Sequence, residues 1–143
     1  MSGVRNPGLL AWLYMMRVSN KIHHASADHL EKYDLTAAQF DVLAHLNAKS
    51  GISQQALSER LLVTKGNVCG LIDRMESRGI VSRRSHPDDR RLNLLFLTDE
   101  GKALAARVVP AHEEFLKQQM EHLSAEEQRT LSGLLRDLDR SLD

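Results

Sequence analysis

Apolar residues recur at helical spacing over the first third of the chain. From residue 9 to about residue 32 they fall mainly on one helical face, which predicts a long first helix. A second helix is predicted to begin after Thr36, because Gln39 three residues later completes a capping box. Its apolar stripe continues until the chain reaches Gly51, where the helix is expected to stop.

Two shorter helices are predicted in the middle of the chain, separated by a brief break. Ser53 can cap the third helix and Thr64 can cap the fourth, so the chain must turn sharply between them. The fourth helix is predicted over residues 64–78. Its apolar positions repeat at i, i+3, i+4 and i+7, and Gly79 follows where a C-terminal cap belongs.

The face of the fourth helix opposite its apolar stripe is small and polar. Gly66 and Gly70 lie on this face, and Lys65, Asn67 and Arg74 lie on its flanks. Each glycine costs about 1 kcal/mol relative to alanine in a helix. Close approach of another backbone is expected to offset that loss.

A basic β-hairpin is predicted after the fourth helix. Residues 80–85 and 92–97 are the strand candidates, and Pro87, Asp88 and Asp89 supply turn chemistry between them. The hairpin carries more positive charge than a structural hairpin needs, in Arg83, Arg84, Arg90 and Arg91. It resembles the wing of a DNA-binding protein, although a solvated hairpin is the alternative for a basic turn taken alone.

Two long helices are predicted to complete the chain. Thr98 can cap the fifth helix, which Pro110 is expected to kink, and Ser124 with Glu127 forms a capping box before the sixth. The sixth helix carries a leucine stripe formed by Leu131, Leu134, Leu135, Leu138 and Leu142. The predicted fold is mainly α with a small β-hairpin, in the order α-α-α-α-β-β-α-α, as one unit over residues 1–143.

Charge is distributed unevenly, although 19 basic and 19 acidic residues give a net charge of zero. Residues 53–98 carry 8 basic against 5 acidic residues, whereas residues 99–143 carry 6 against 10. A basic centre beside an acidic scaffold suits a protein whose centre meets phosphates. Only 4% of residues are aromatic, which disfavours stacking on single-stranded nucleic acid, whereas binding to a duplex would not need aromatic side chains.

The element order is typical of a winged helix-turn-helix, whose second helix enters the major groove. In that geometry Asn67 could read adenine, and Lys65 could contact guanine or phosphate. Arg90 or Arg91 could enter the minor groove, oriented by the neighbouring aspartates. The full set of predicted DNA-binding residues is Ser53, Thr64, Lys65, Gly66, Asn67, Gly70, Arg74, Arg83, Arg84, Asp88, Arg90 and Arg91.

Four segments of the chain resemble the MarR family of regulators. They are L-S-E-R-L at 57–61, L-I-D-R-M-E-S-R-G-I-V at 71–81, D-D-R-R-L-N at 88–93 and L-T-D-E-G at 97–101. The resemblance covers essentially the whole chain. It implies a winged-helix lobe at 35–98, with dimerisation helices at 1–34 and 99–143.

The resemblance further implies a homodimeric repressor that binds a pseudo-palindromic operator and releases it when a small aromatic acid or phenol binds. The leucine stripe independently supports dimerisation, because the small winged core could not cover it. Candidate effector-pocket residues are Trp12, Met16, His23 and Phe40. Burial in the core is the alternative for Trp12 and Met16. No cofactor is expected.

Other functions are less well supported by the residues. Cys69 could make the protein redox-responsive, and related regulators sense metals, but no two histidines have the i, i+4 spacing of a helical zinc motif and no metal site is predicted. No nucleophile elbow or phosphate loop indicates an enzyme. A winged-helix protein-interaction module is a further alternative. With one cysteine and no long apolar stretch, a cytoplasmic location away from membranes is expected.

Overall fold

A computed structural model describes residues 3, 5–61 and 67–143. Thr64, Lys65 and Gly66 lie outside the described residues. The predictions made for these three therefore stay predictions.

The chain alternates helices and short strands, with two long helices at its C-terminal end. Their bounds are α1 Pro7–Glu31, α2 Ala37–Ala48, β1 Ile52–Ser53, α3 Gln54–Arg60, α4 Val68–Ser77, β2 Val81–Ser85, β3 Asn93–Leu97, α5 Asp99–Met120 and α6 Ala125–Ser141. None of the helices within the described ranges is both long and apolar enough to cross a membrane.

Most helix starts follow the predicted capping chemistry. Both predicted capping boxes form, one between Thr36 and Gln39 and the other between Ser124 and Glu127. The Ser53 hydroxyl accepts from the backbone N–H of Ala56 at the start of α3. These caps satisfy N–H groups that have no partner within their helix. They confirm the predicted starts of α2, α3 and α6.

The predicted two-stranded hairpin is one part of a three-stranded antiparallel sheet, in the order β1-β3-β2. The additional strand, β1, pairs Ile52 with Leu95 and Ser53 with Leu94. Two residues are too few to show the alternation that identifies a strand, so the sequence pattern missed it. The observed order is therefore α-α-β-α-α-β-β-α-α.

A single core joins α2, α3, α4 and the sheet. Its fully buried side chains include Val42, Leu43, Leu46, Leu57, Ile72, Met75 and Leu95. Leu71, Ile72 and Met75 confirm the buried face predicted for the fourth helix. The core therefore holds α4 by its apolar stripe and leaves the opposite face outside.

The two ends of the chain are far less buried. Leu30 is the one buried residue of α1, and α6 has none. Pro110 lies within α5, and the helix continues through it from Asp99 to Met120. The long helices therefore expose apolar surface that the winged lobe does not cover.

Candidate nucleic-acid interface

The outer face of α4 is open to solvent. Asn67, Cys69, Asp73, Arg74 and Ser77 are exposed, while the apolar face of the same helix is buried. Arg74 has no side-chain hydrogen bond or ion pair within residues 5–61 and 67–143, so its guanidinium is available to a ligand. The exposed side is the one predicted to face DNA.

Asn67 caps α4, which begins at Val68, while the predicted cap at Thr64 lies outside the described residues. Its side-chain Oδ1 accepts from the backbone N–H of Gly70 at 2.9 Å. A β-carbon at position 70 would lie 2.6 Å from Asn67 Nδ2. Gly70 therefore has an intramolecular role, because it makes room for the capping amide, in addition to any approach to DNA.

A concave groove of about 590 Å³ lies between α3, the start of α4 and the wing, which we define as residues 81–97. Its lining residues are Ser53, Gln54, Gln55, Ser58, Asn67, Val68, Cys69, Arg91, Leu92 and Asn93. The groove brings together three predicted site residues, Ser53, Asn67 and Arg91. Sequence reasoning missed the polar contribution of α3, although Ser58 lies one helical turn after both Gln54 and Gln55.

The tip of the wing presents two exposed arginines. The Arg91 side chain donates from Nε and Nη2 to the carboxylate of Asp89, at 3.0 and 3.1 Å. These bonds lower the pKa of the Asp89 carboxyl. Arg90 is exposed and has no ion pair among the described residues. Asp89 therefore orients Arg91 as predicted, whereas Asp88 contacts His86 through its backbone N–H and not an arginine side chain.

Arg83 and Arg84 lie on opposite faces of β2. The Arg84 guanidinium is exposed and stacks 4.3 Å from the centre of the Phe96 ring. Arg83 has a side chain only 19% exposed, and it pairs with Asp73 and Glu76 of α4. Asp73 of α4 is therefore paired with an arginine of the wing. Arg83 is paired with partners within the protein, and its predicted contact with DNA stays a prediction.

Arg78 connects the end of α4 to the turn between α1 and α2. Its Nη1 donates to the backbone carbonyl of Asp34 at 2.5 Å and to Gln39 Oε1 at 3.5 Å. Asp34 has a φ of 54°, the left-handed conformation that closes this turn. The end of α4 is therefore tied to the turn between α1 and α2 and to the first turn of α2, a link that no local pattern indicated.

The four effector-pocket candidates have different environments. Trp12 and Met16 are 52% and 47% exposed, and His23 is also exposed. Burial of Trp12 and Met16 in the core of the single chain was therefore a wrong expectation, because α1 packs through its C-terminal end. Phe40 is half-buried, with its ring 4.5 Å from that of His112.

A buried histidine cluster, which sequence reasoning missed, lies where α1, α2 and α5 meet. His112 is 2% exposed and shares hydrogen bonds with Ser26 Oγ at 2.7 Å and with His29 Nδ1 at 2.9 Å. The Phe115 ring stacks on His29 at 4.5 Å. Burial lowers the pKa of His112 to about 4, with His29 adding to the effect. Burial and then Lys32 also lower the pKa of His29.

Cys69 is exposed on α4, where its Sγ accepts a hydrogen bond from Gln54 Nε2 at 2.9 Å. Within the described ranges, no group of three or more histidine, cysteine, aspartate and glutamate side chains could hold a metal ion. The redox and metal alternatives stay hypotheses.

Comparisons with known proteins agree on one family. The sequence model of the MarR family matches residues 33–92. The chain is 32% identical over 129 residues to an HTH-type transcriptional regulator of Bacillus cereus strain ZK, covering 90% of this chain and 86% of that one. It is 35% identical over 116 residues to the transcriptional regulator HosA of Escherichia coli O111:H-, covering 81% and 85%.

Solved structures give the same result. A MarR-like transcription regulator from Bacillus cereus ATCC 10987 superposes with a TM-score of 0.86 at 25% identity, covering 95% of this chain and 98% of that one. A cysteine-to-serine mutant of E. coli MarR complexed with operator DNA superposes with a TM-score of 0.79 at 32% identity, covering 90% and 92%. The fold and the exposed helix beside a basic wing define a winged-helix regulator. The chain belongs to the MarR family of transcriptional regulators.

Proposed function

We propose that this protein represses transcription as a cytoplasmic homodimer that binds a pseudo-palindromic duplex. The observation that carries the proposal is the exposed polar face of α4 beside a wing tipped by Arg90 and Arg91. In this arrangement α4 enters the major groove and the wing lies along the adjacent minor groove. The E. coli MarR mutant solved with operator DNA shares this fold and supports the same mode of binding.

The proposed partner for the exposed apolar surface is a second copy of this chain. Large apolar side chains are exposed on both terminal helices, namely Leu9, Trp12, Tyr14, Met16, Val18, Leu134, Leu135, Leu138 and Leu142. Burial of apolar surface contributes about 25 cal/mol per Å², so a helix with no buried residue gains stability mainly from a partner. Two-fold pairing of these helices would place two α4 helices about one DNA turn apart.

Leu135→Glu is expected to convert the dimer to monomers, because it places a charge in the apolar stripe of α6. Ser132→Glu is the matched control, since it adds the same charge to α6 at an exposed position on the flank of the stripe rather than within it. Light scattering at a fixed protein concentration measures the mass of each. A wild type that is monomeric, or a Leu135→Glu variant that stays dimeric, would contradict the proposed interface.

Arg90→Ala is expected to weaken duplex binding and to lower the salt dependence of the affinity. Each lost phosphate contact reduces the slope of log K against log salt by about 1 per protomer. The measurement is a titration at several salt concentrations, using a duplex selected from a random pool with the wild-type protein.

Arg140→Ala provides the control for this charge loss, because Arg140 is exposed on α6 and far along the chain from the wing. Its slope should equal that of the wild type. If Arg90→Ala also keeps the wild-type slope, the wing does not contact phosphate. If the wild type binds no duplex at low salt, a protein-interaction module becomes the better description.

We further propose that a small-molecule effector, and no permanent cofactor, controls DNA release. The cluster of Ser26, His29, Phe40 and His112 supports this proposal, because it combines polar atoms and aromatic rings between the terminal helices and the winged lobe. A thermal-shift screen of phenols, aromatic acids, metal ions and peroxide tests it, when each stabilising compound is then assayed for release of bound duplex.

A further inference from the structure

Arg83 links three elements of the winged lobe through one side chain. Its Nε donates to Gln54 Oε1 of α3 at 3.1 Å, and its Nη2 donates to the Cys69 carbonyl of α4 at 3.2 Å. Its Nη1 donates to Asp73 at 2.5 Å and to Glu76 at 3.2 Å. The planar guanidinium thus spans α3 and α4 at once, a geometry that lysine does not reproduce.

The backbone and the neighbours of Arg83 reinforce the same link. The backbone N–H of Arg83 donates to the second carboxylate oxygen of Glu76 at 3.1 Å. Gln54 accepts the hydrogen bond from Arg83 Nε through its Oε1 and donates a second one from its Nε2 to Cys69 Sγ. The wing, α3 and α4 are therefore held together by polar contacts next to the groove that faces solvent.

The location of this network matters because, among the described residues, Arg83 supplies the hydrogen bonds that join the wing to α4, in addition to the apolar core that the two share. Beyond Arg83, strand β2 becomes exposed at Arg84 and Ser85, and the wing tip projects from the lobe. An isolated hairpin is only marginally stable, so the orientation of its outer half relative to the lobe depends on the contacts at its base. Arg83 lies at that base and hydrogen-bonds α4 through its side chain.

We propose that Arg83 is a positioning residue for DNA binding, which fixes the wing relative to α4 so that both meet the duplex together. This inference rests on the proposed function. In this scheme Arg83 does not contact DNA. The Asp73 carboxylate lies on the surface that faces the phosphates, yet Asp73 supports binding because it holds Arg83 in place. The two roles for Arg83, positioning and direct contact, predict opposite effects for two conservative substitutions.

Arg83→Lys and Asp73→Asn are both expected to weaken duplex binding about tenfold. Lysine keeps the charge but loses the bridge between α3 and α4, and asparagine removes a negative charge but also removes the strongest partner. A direct phosphate contact would give the reverse pattern. Lysine would then retain most of the affinity, and Asp73→Asn would strengthen binding by releasing the arginine.

Two controls match these changes in chemistry. Arg140→Lys on α6 repeats the arginine-to-lysine change, and Glu59→Gln on α3 repeats the loss of one exposed negative charge in the winged lobe. Neither side chain has an ion pair in the described part of the chain, so both controls should bind DNA at least as well as the wild type. Thermal unfolding of every variant establishes that each is folded at the assay temperature.

A double-mutant cycle with Arg91→Ala separates positioning from general destabilisation. We expect Arg91→Ala to weaken duplex binding about fivefold in the wild-type background and less than about twofold in the Arg83→Lys background. In the Arg83→Lys protein the wing is no longer fixed relative to α4, so Arg91 contributes little contact that its removal could abolish. Additive losses would overturn the positioning role, as would wild-type affinity in Arg83→Lys or tighter binding by Asp73→Asn. Absence of duplex binding by the wild type would instead overturn the proposed function itself, and this inference with it.

Discussion

Gly101→Ala is expected to destabilise the protein by about 3 kcal/mol, at the upper end of the usual cost of overpacking. A β-carbon at position 101 would lie 2.0 Å from the carbonyl oxygen of Ile80 and 3.0 Å from its carbonyl carbon. Backbone atoms must then move apart, because no flexible side chain can yield. The same carbonyl accepts from the Thr98 N–H at 3.2 Å, so the displacement would also disturb the start of α5.

Gly133→Ala is the matched control for this substitution. Gly133 lies within α6, and the nearest atom to its β-carbon would be Arg136 Nη2 at 3.9 Å. Alanine is favoured over glycine in a helix, so this variant should gain up to about 1 kcal/mol. Urea unfolding at one protein concentration measures both changes. A Gly101→Ala variant as stable as the wild type would mean that α5 does not pack against Ile80 as closely as the structure has it.

The contrast between Gly101 and the helix caps explains what could be predicted from sequence. A capping box depends on residues three positions apart, so Thr36 and Gln39 predict the start of their helix from the local sequence alone. Gly101 is required by contact with Ile80, which is distant along the chain. The spacing of residues along the sequence does not indicate that contact. Gly101 was noted only as the last residue of the family-like segment L-T-D-E-G at 97–101.

The sheet register explains why Arg83 and Arg84 were not distinguished. Both are basic residues of one predicted strand, and side chains alternate between its faces. Arg83 pairs across from Leu95, on the side of the sheet that packs on the core, whereas Arg84 points the other way and reaches Phe96. The register also depends on β1, which pairs with β3 from more than 40 residues away. The local sequence pattern therefore identified a basic wing, but it did not show which arginine side chain pairs with α4.

The histidine cluster was missed for a similar reason. His29 and His112 lie on helices far apart in sequence, and nothing in the spacing of the seven histidines connects them. The helices that carry them were predicted, but the contact exists only after α1 and α5 pack together. Their hydrogen bond requires one of the two facing nitrogens to carry a hydrogen and the other to accept it.

Stability is expected to fall as the pH decreases from about 6.5 to about 4, with His112 as a main cause. In the folded state burial lowers the pKa of His112 to about 4, whereas in the unfolded chain it returns to its ordinary value of 6.5. Between these values the unfolded state binds more protons than the folded state, so acid favours unfolding. The difference corresponds to at most about 3.5 kcal/mol over the whole interval. The lowered pKa of His29 acts in the same direction.

His112→Gln should flatten this pH dependence, because glutamine retains hydrogen-bonding atoms but takes up no proton. The free energy of unfolding is measured in urea at pH 6.5, 5.5 and 4.5, with protein concentration fixed because the proposed dimer contributes to stability. His122→Gln, at an exposed position, should keep the wild-type slope even though it also removes one histidine. The slope is the informative quantity, since His112→Gln also changes packing against Phe40 and lowers stability at every pH. Parallel profiles for the wild type and His112→Gln would mean that the buried imidazole is protonated without cost, in conflict with its enclosure between Ser26, His29 and Phe40.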